Sequence, residues 1–327
     1  MVPDESSLEA MYHEIGRQGV GALELHEWPR SSYFLEHCTT GPDGAPSPRR
    51  FDQHPVVGFN VMLDEDPAHV ALLHKAQRVF RDMLQEARER CLSPKAAAEW
   101  AKTGVYWTSP RSWHTVVAIF QEHPALLPEA ERADWSPVPI DKLEHDLGTE
   151  LRADLWAYPV PPLAVRLHGL RVCADGALIA CFVEADPSAP AFAPLRSRVK
   201  DIATKVLGPL TSRPKRLIHV TLGRVLSLPT LATSDELANL RRTMRAMTAD
   251  LHTNRIPAEW LSETRAVPGD WRIEVEGQST HQLAPIPGMG DVLRIVKGTV
   301  TVERQWWMAA YDKVTEIRLA ERDATRG

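Results

Sequence analysis

The stretch Leu217 to Val225, LIHVTLGRV, constrains this chain most. Its β-branched and aliphatic residues read as a strand, and the side chains of a strand alternate between two faces. His219 and Thr221 therefore point one way. Val220 and Leu222 point the other way, into apolar packing. A strand that spends two same-face positions on an imidazole and a hydroxyl gives up hydrophobic burial there. The pair suits a phosphate-like anion: a nitrogen that titrates near neutral pH beside a small hydroxyl donor. The chain holds 13 His, so one His-x-Thr triplet is weak evidence by itself. A second literal triplet, His37-Cys38-Thr39, sits in a stretch without strand character. A phosphate site needs a partner strand elsewhere in the chain.

Composition narrows the setting. With 327 residues the chain can build two lobes or one large α/β domain. Hydrophobic residues make up 43% and charged residues 25%, as in an ordinary globular protein. The formal net charge of -5 advertises neither a nucleic-acid surface nor a membrane surface, although a local basic pocket would still take a small anion. None of the 4 Cys forms a CxxC pair, which argues against a thiolate zinc site. Cys173 and Cys181 fall in strand-like runs and read as small core residues. The N-terminus lacks an apolar signal core, and no run of about 18 apolar residues appears. A reducing cytoplasm is the expected location, with no membrane association.

In chain order, Ser6 to Arg17 reads as a short helix and Thr39 to Arg50 as a loop. Val56 to Leu63 reads as a strand. Asp66-Pro67 then supplies an N-cap and an N1 proline. Leu72, Leu73, Ala76, Val79, Phe80, Met83 and Ala87 follow at helical spacing, so Ala68 to Arg90 is an amphipathic helix. Lys95 to Lys102 is a shorter helical piece. Trp113 to Phe120 reads as a strand carrying His114. Gln121 to Pro162 is a Pro- and acid-rich crossover with a helix near Asp141 to Leu151. Leu163 to Val172 and Ala177 to Ala185 form a hairpin about Ala174-Asp175-Gly176. A helix with Leu195, Val199, Ile202 and Val206 on one face ends at Gly208-Pro209. The His219 strand follows. Thr233 and Glu236 have capping-box spacing ahead of a helix through Leu251. Trp271 to Glu276, Val292 to Val296, Thr299 to Arg304 and Val314 to Leu319 are strand runs that would complete two sheets. Each half thus ends in a strand with a histidine.

These residues resemble the two-histidine (2H) phosphoesterase superfamily, the group that includes the LigT-like RNA ligases and cyclic phosphodiesterases. IHVTLGR at Ile218 to Arg224 carries the resemblance, with the Val165 to Val172 strand, the Asp175-Gly176 hairpin, the Leu195 to Val206 helix and WHTVV at Trp113 to Val117. It spans roughly Val56 to Leu319. The implied fold is α/β (α+β): two pseudo-symmetric lobes, each a mostly antiparallel sheet with helices outside, and an active-site cleft between them. Residues 1–51 would be an N-terminal extension. Lobe one would cover about 52–160 and lobe two about 161–327, with the C-terminal strands shared.

The resemblance implies a metal-independent phosphodiesterase without a cofactor, acting on a 2',3'-cyclic nucleotide or RNA end, and a monomer. His114 and His219 would be the catalytic acid and base, and Thr221 would hold the phosphate. One departure is plain: the position two beyond His114 is Val116, not Thr or Ser. Thr115 would serve only if a bulge turned it inward, and Ser112 shares the His114 face in a regular strand. His37 precedes the lobe's first strand and helix, which rules out its triplet as the first motif. Tyr106 and Trp107 are candidates for base stacking, against a packing role. Arg224 reads as readily as a structural ion pair as a phosphate contact, and His168 reads as a structural histidine. Two alternatives stay open: a non-catalytic nucleotide- or RNA-binding module, and an enzyme for another phosphodiester such as an ADP-ribose cyclic phosphate or a cyclic dinucleotide.

Overall fold

The computed structural model describes residues 5–24, 28–29, 38–40, 46–48, 55–63, 66–124, 127, 129–133, 135–158, 160, 163–210, 216–253, 292–295, 297–303 and 311–319. The chain opens with helix α1 (Glu5–Ala22) and a small antiparallel ribbon, β1 (Cys38–Thr40) with β2 (Pro46–Pro48). The ribbon corrects the loop expected over Thr39 to Arg50 and the strandless reading of the Cys38-Thr39 region. Two paired strands without neighbours are both edges, and edges tolerate proline. His37 itself lies outside the described residues.

Next come β3 (Val56–Met62), α2 (Pro67–Cys91), α3 (Pro94–Thr103), β4 (Val105–Trp107) and β5 (His114–Gln121). A π-helical stretch over Lys142–Leu147 runs into α4 (Gly148–Ala157). The second half holds β6 (Leu163–Val172), β7 (Ala177–Glu184), α5 (Phe192–Leu207), β8 (Ile218–Val225) and α6 (Ser234–His252). The tail adds β9 (Val292–Ile295), β10 (Lys297–Glu303) and β11 (Tyr311–Arg318). The run Trp271 to Glu276 lies outside the described residues.

Local chemistry sets the ends of these elements. Asp66 accepts from the Ala68 amide at 2.8 Å, with Pro67 in the first turn of α2. Thr233 accepts from the Glu236 amide at 3.2 Å, and the Glu236 carboxylate accepts from the Thr233 amide at 2.7 Å. Both halves of the capping box ahead of α6 are thus made. The β6–β7 hairpin turns at Gly176, whose φ of 85° favours glycine.

Among the described residues all strand pairs are antiparallel. One sheet runs β11-β10-β3-β5 and the other β4-β8-β7-β6-β9, so the protein is α+β. The tail strands divide between the two: β9 closes the second sheet, and β10 and β11 build half of the first. β4 precedes the His114 strand in the chain yet pairs with β8, at the edge of the second sheet. A contiguous apolar core, with Phe59, Phe80, Trp113, Phe120 and Phe182 fully buried, joins residues of both sheets and the helices. Among the described residues no helix is long and apolar enough to cross a membrane.

Helix α1 packs against β6, β7 and α6. Its Tyr12 is completely buried, and the hydroxyl lies 2.8 Å from the Phe182 carbonyl and 2.6 Å from that of Ile218. It also accepts from the Ile218 amide at 2.9 Å. One phenol thereby serves the rung of the β7–β8 ladder next to His219. Burial is the main cause that raises its pKa well above the usual tyrosine range, so it remains a donor. Tyr12→Phe keeps the ring and strips the bonds from a buried amide and carbonyls. A loss of about 1–3 kcal/mol in the free energy of unfolding is expected, read by urea denaturation. An unchanged midpoint would mean that the hydroxyl bonds contribute nothing net.

Candidate active site

The site forms at the seam where the edges of the two sheets meet. β4 is only three residues long, so it covers β8 from Gly223 to Val225 and no further as a strand. The Thr108 amide donates to the Leu222 carbonyl at 3.1 Å and ends that contact. Farther along, the Arg196 guanidinium of α5 bridges the seam. Its Nε donates to the Val117 carbonyl at 3.1 Å and Nη2 to that of Val116 at 2.9 Å. Nη1 donates to the Arg216 carbonyl at 2.7 Å, and Nη2 also to Leu217. Residues 107 to 117 thus run past residues 223 to 216 in the antiparallel sense. Along the chain, His114 falls between the two anchor points on its side of the seam, and His219 and Thr221 fall between them on the other.

The faces agree with this placement. Along β8, His219 and Thr221 are half-exposed while Ile218, Val220 and Leu222 are buried. That is the alternation expected from LIHVTLGRV. Along β5, His114 and Val116 are half-exposed while Thr115 and Val117 are buried. The two histidines and Thr221 are therefore on open strand faces on either side of one seam.

The ring of His114 is held from behind. Its Nδ1 lies 2.8 Å from the Ser112 carbonyl. A carbonyl only accepts, so Nδ1 carries the proton and the neutral ring keeps its lone pair on Nε2. Burial pushes the His114 pKa below its ordinary value, and the Ser112 carbonyl opposes this only in part. The imidazole is thus neutral near pH 7, with a fixed tautomer.

Two expected phosphate ligands are corrected. Thr115 is 2% exposed and pairs in register with Val61, so its hydroxyl is on the closed face. The register of β5 does slip, but beyond Thr115, at Val117 and Phe120. Those slips leave Thr115 where regular alternation puts it, opposite His114. Ser112 is buried in a one-turn 3-10 helix, Pro110–Ser112, before the strand begins. Its part in the site is the backbone carbonyl behind His114. Val116 does share the His114 face, so β5 offers no hydroxyl there.

The aromatic pair is corrected as well. Tyr106 is 9% exposed and packs as a core residue. Trp107 has the Arg81 guanidinium over its ring at 4.1 Å from the centroid. A Cβ added at Gly223 would fall 2.8 Å from the same ring, so a glycine is needed at that rung. Packing between α2 and β8 thus accounts for Trp107. Arg224 pairs with Asp175 of the hairpin at 2.7 Å, and His168 stacks on Tyr12 with 5.6 Å between ring centroids. Both are structural.

Two backbone-anchoring contacts have no local signal in the sequence. Gln77 of α2 is buried and donates to the Thr108 carbonyl at 3.0 Å and the Leu222 carbonyl at 2.8 Å. It pins the point where the approach to His114 leaves β8. Arg196 is the other. Both side chains bond to backbone of elements distant in the chain, so only the folded arrangement reveals them.

No protein-family model and no curated protein matches this chain. Several solved structures do. Protein TT0787 of Thermus thermophilus matches with 14% identity over 81% of this chain and 97% of its own, at a TM-score of 0.40. A structure described as a phosphoesterase matches with 12% identity over 82% and 99%, at 0.38. LigT of E. coli, solved with 3'-AMP, matches with 13% identity over 82% and 100%, at 0.37.

The environment of His114 has a measurable consequence. Its folded-state pKa lies below the ordinary value of 6.5. The unfolded chain therefore binds a proton there first, and this group's contribution to stability is lost as pH falls through and below about 6.5. An NMR titration of the His114 ring protons should show a midpoint below 6.5. A midpoint at or above that value would contradict the neutral imidazole.

Proposed function

We propose that this protein is a metal-independent phosphodiesterase that opens a cyclic phosphate by two-histidine acid–base catalysis. The observation that carries the reading is the seam itself. His114 begins the edge strand of one sheet and His219 and Thr221 lie on β8 of the other, all half-exposed, and Arg196 bonds to the backbone two residues from each histidine. The resemblance of Ile218 to Arg224 and of Trp113 to Val117 to the 2H phosphoesterases points to the same chemistry, with a 2',3'-cyclic nucleotide or RNA end as substrate.

The His114 tautomer supports one assignment of roles. His114 is the general base: Nε2 takes a proton from water as the water oxygen bonds to phosphorus. His219 is the general acid. As the bond from phosphorus to one ribose oxygen breaks, His219 gives that oxygen a proton, leaving a phosphomonoester beside a free hydroxyl. Thr221 donates to a non-bridging oxygen and offsets the charge that builds there. Each proton transfer is typically worth about 10²–10⁴-fold. His114→Ala and His219→Ala should each lower kcat by at least about 10²-fold, measured on a 2',3'-cyclic nucleotide in EDTA. Activity retained in both variants would overturn this reading, as would activity in the native protein that EDTA abolishes.

One feature favours a second reading, a nucleotide- or RNA-binding module without turnover. β5 presents Val116 where a second hydroxyl would face the phosphate, and Thr115 is turned away. Calorimetry on a panel of cyclic phosphates, run beside product analysis, separates the two. Turnover supports the enzyme; saturable binding with no product supports the module.

A further inference from the structure

Taking the paired-histidine site as read above, we propose that Arg196 is a positioning residue that sets the distance between the two histidine-bearing strands. A guanidinium has five N–H donors in a rigid plane. Four carbonyls accept from it here: Val116 and Val117 on β5, and Arg216 and Leu217 just before β8. Val116 is two residues past His114, and Leu217 is two residues before His219. Those offsets put the guanidinium two residues along the backbone from a histidine on each side of the seam.

The β5 side is built for this contact. Consecutive carbonyls of a regular strand point to opposite edges. Val117, however, is the extra residue of a bulge: Phe59 pairs with Ala118 and Asn60 with Val116, and Val117 is skipped. The bulge lets the Val116 and Val117 carbonyls reach the same guanidinium. Arg196 is braced in turn. It lies over the Phe192 ring at 4.6 Å from the centroid, and the first turn of α5 is tied down where the Glu184 carboxylate accepts from the Phe192 amide at 2.7 Å. Burial lowers its pKa to about 10, so it stays charged through the neutral range. A lysine would keep the charge but present three donors from one point, too few and too compact to span the seam.

The experiment compares native protein with Arg196→Lys and Arg196→Gly. NMR titration of the imidazoles reads the geometry without any need for turnover. In both variants the ring resonances of His114 and His219 should move and their titration curves change, while that of His252 on α6, whose ring packs on His13, stays put. If native protein turns over a cyclic phosphate, both variants should lose about 10- to 100-fold in kcat with KM changed by less than about threefold. Millimolar guanidinium should restore part of the loss in Arg196→Gly only. Variants that merely unfold at lower temperature, with native His114 and His219 resonances, would overturn the proposal. Inactive native protein whose histidine resonances still respond to Arg196 would instead keep the positioning role and overturn the enzyme reading.

Discussion

Exposed strand edges demand hydrogen-bond partners, and this molecule has two such edges side by side. Each sheet stops at the seam: β5 is the last strand of one, and the short β4 leaves most of β8 uncovered in the other. Unpaired carbonyls there would be costly when enclosed. Direct pairing of β5 with β8 would fuse the sheets and close the gap. A planar cation reaching carbonyls on both sides satisfies the backbone and keeps the strands apart. His114 and His219 lie on the strands that border this gap.

Placement of the histidines is thus a backbone matter. Tyr12 bonds to the residue before His219, Gln77 to the carbonyls of Thr108 and Leu222, and the Ser112 carbonyl to the His114 ring. Each anchor lies one to six residues from an imidazole. Such contacts act chiefly by fixing main chain on either side of the reacting groups. The site is also lopsided. β8 offers an imidazole and a hydroxyl, β5 an imidazole and a valine. Any anion held there would take its neutral hydroxyl contact from the second sheet.

What could be seen in the sequence was local. The alternation around His219 and Thr221, the caps at Asp66 and Thr233, and the hairpin at Asp175-Gly176 depend on neighbours within a few residues, and each is found as expected. Hydroxyls near His114 were harder to place. Thr115 faces inward because the bulges fall later in the strand, and Ser112 belongs to a helical turn before it. Neither bulge position nor turn type follows from the letters WHTVV alone. The swap of β4 into the second sheet, the docking of α1 through Tyr12 and the reach of Arg196 all join residues far apart in the chain. Periodicity carries no information about such partners.

The division of the last strands has a consequence for biogenesis. β10 sits between β3 and β11, so the first sheet has only the β3–β5 pair until a segment more than 230 residues beyond β3 arrives. A ribosome adding about 5–20 residues per second takes tens of seconds to cover that interval. Throughout it, β3 presents a bare apolar edge, which is the kind of surface that invites intermolecular pairing. The nascent chain is therefore committed to late, long-range closure of its first sheet.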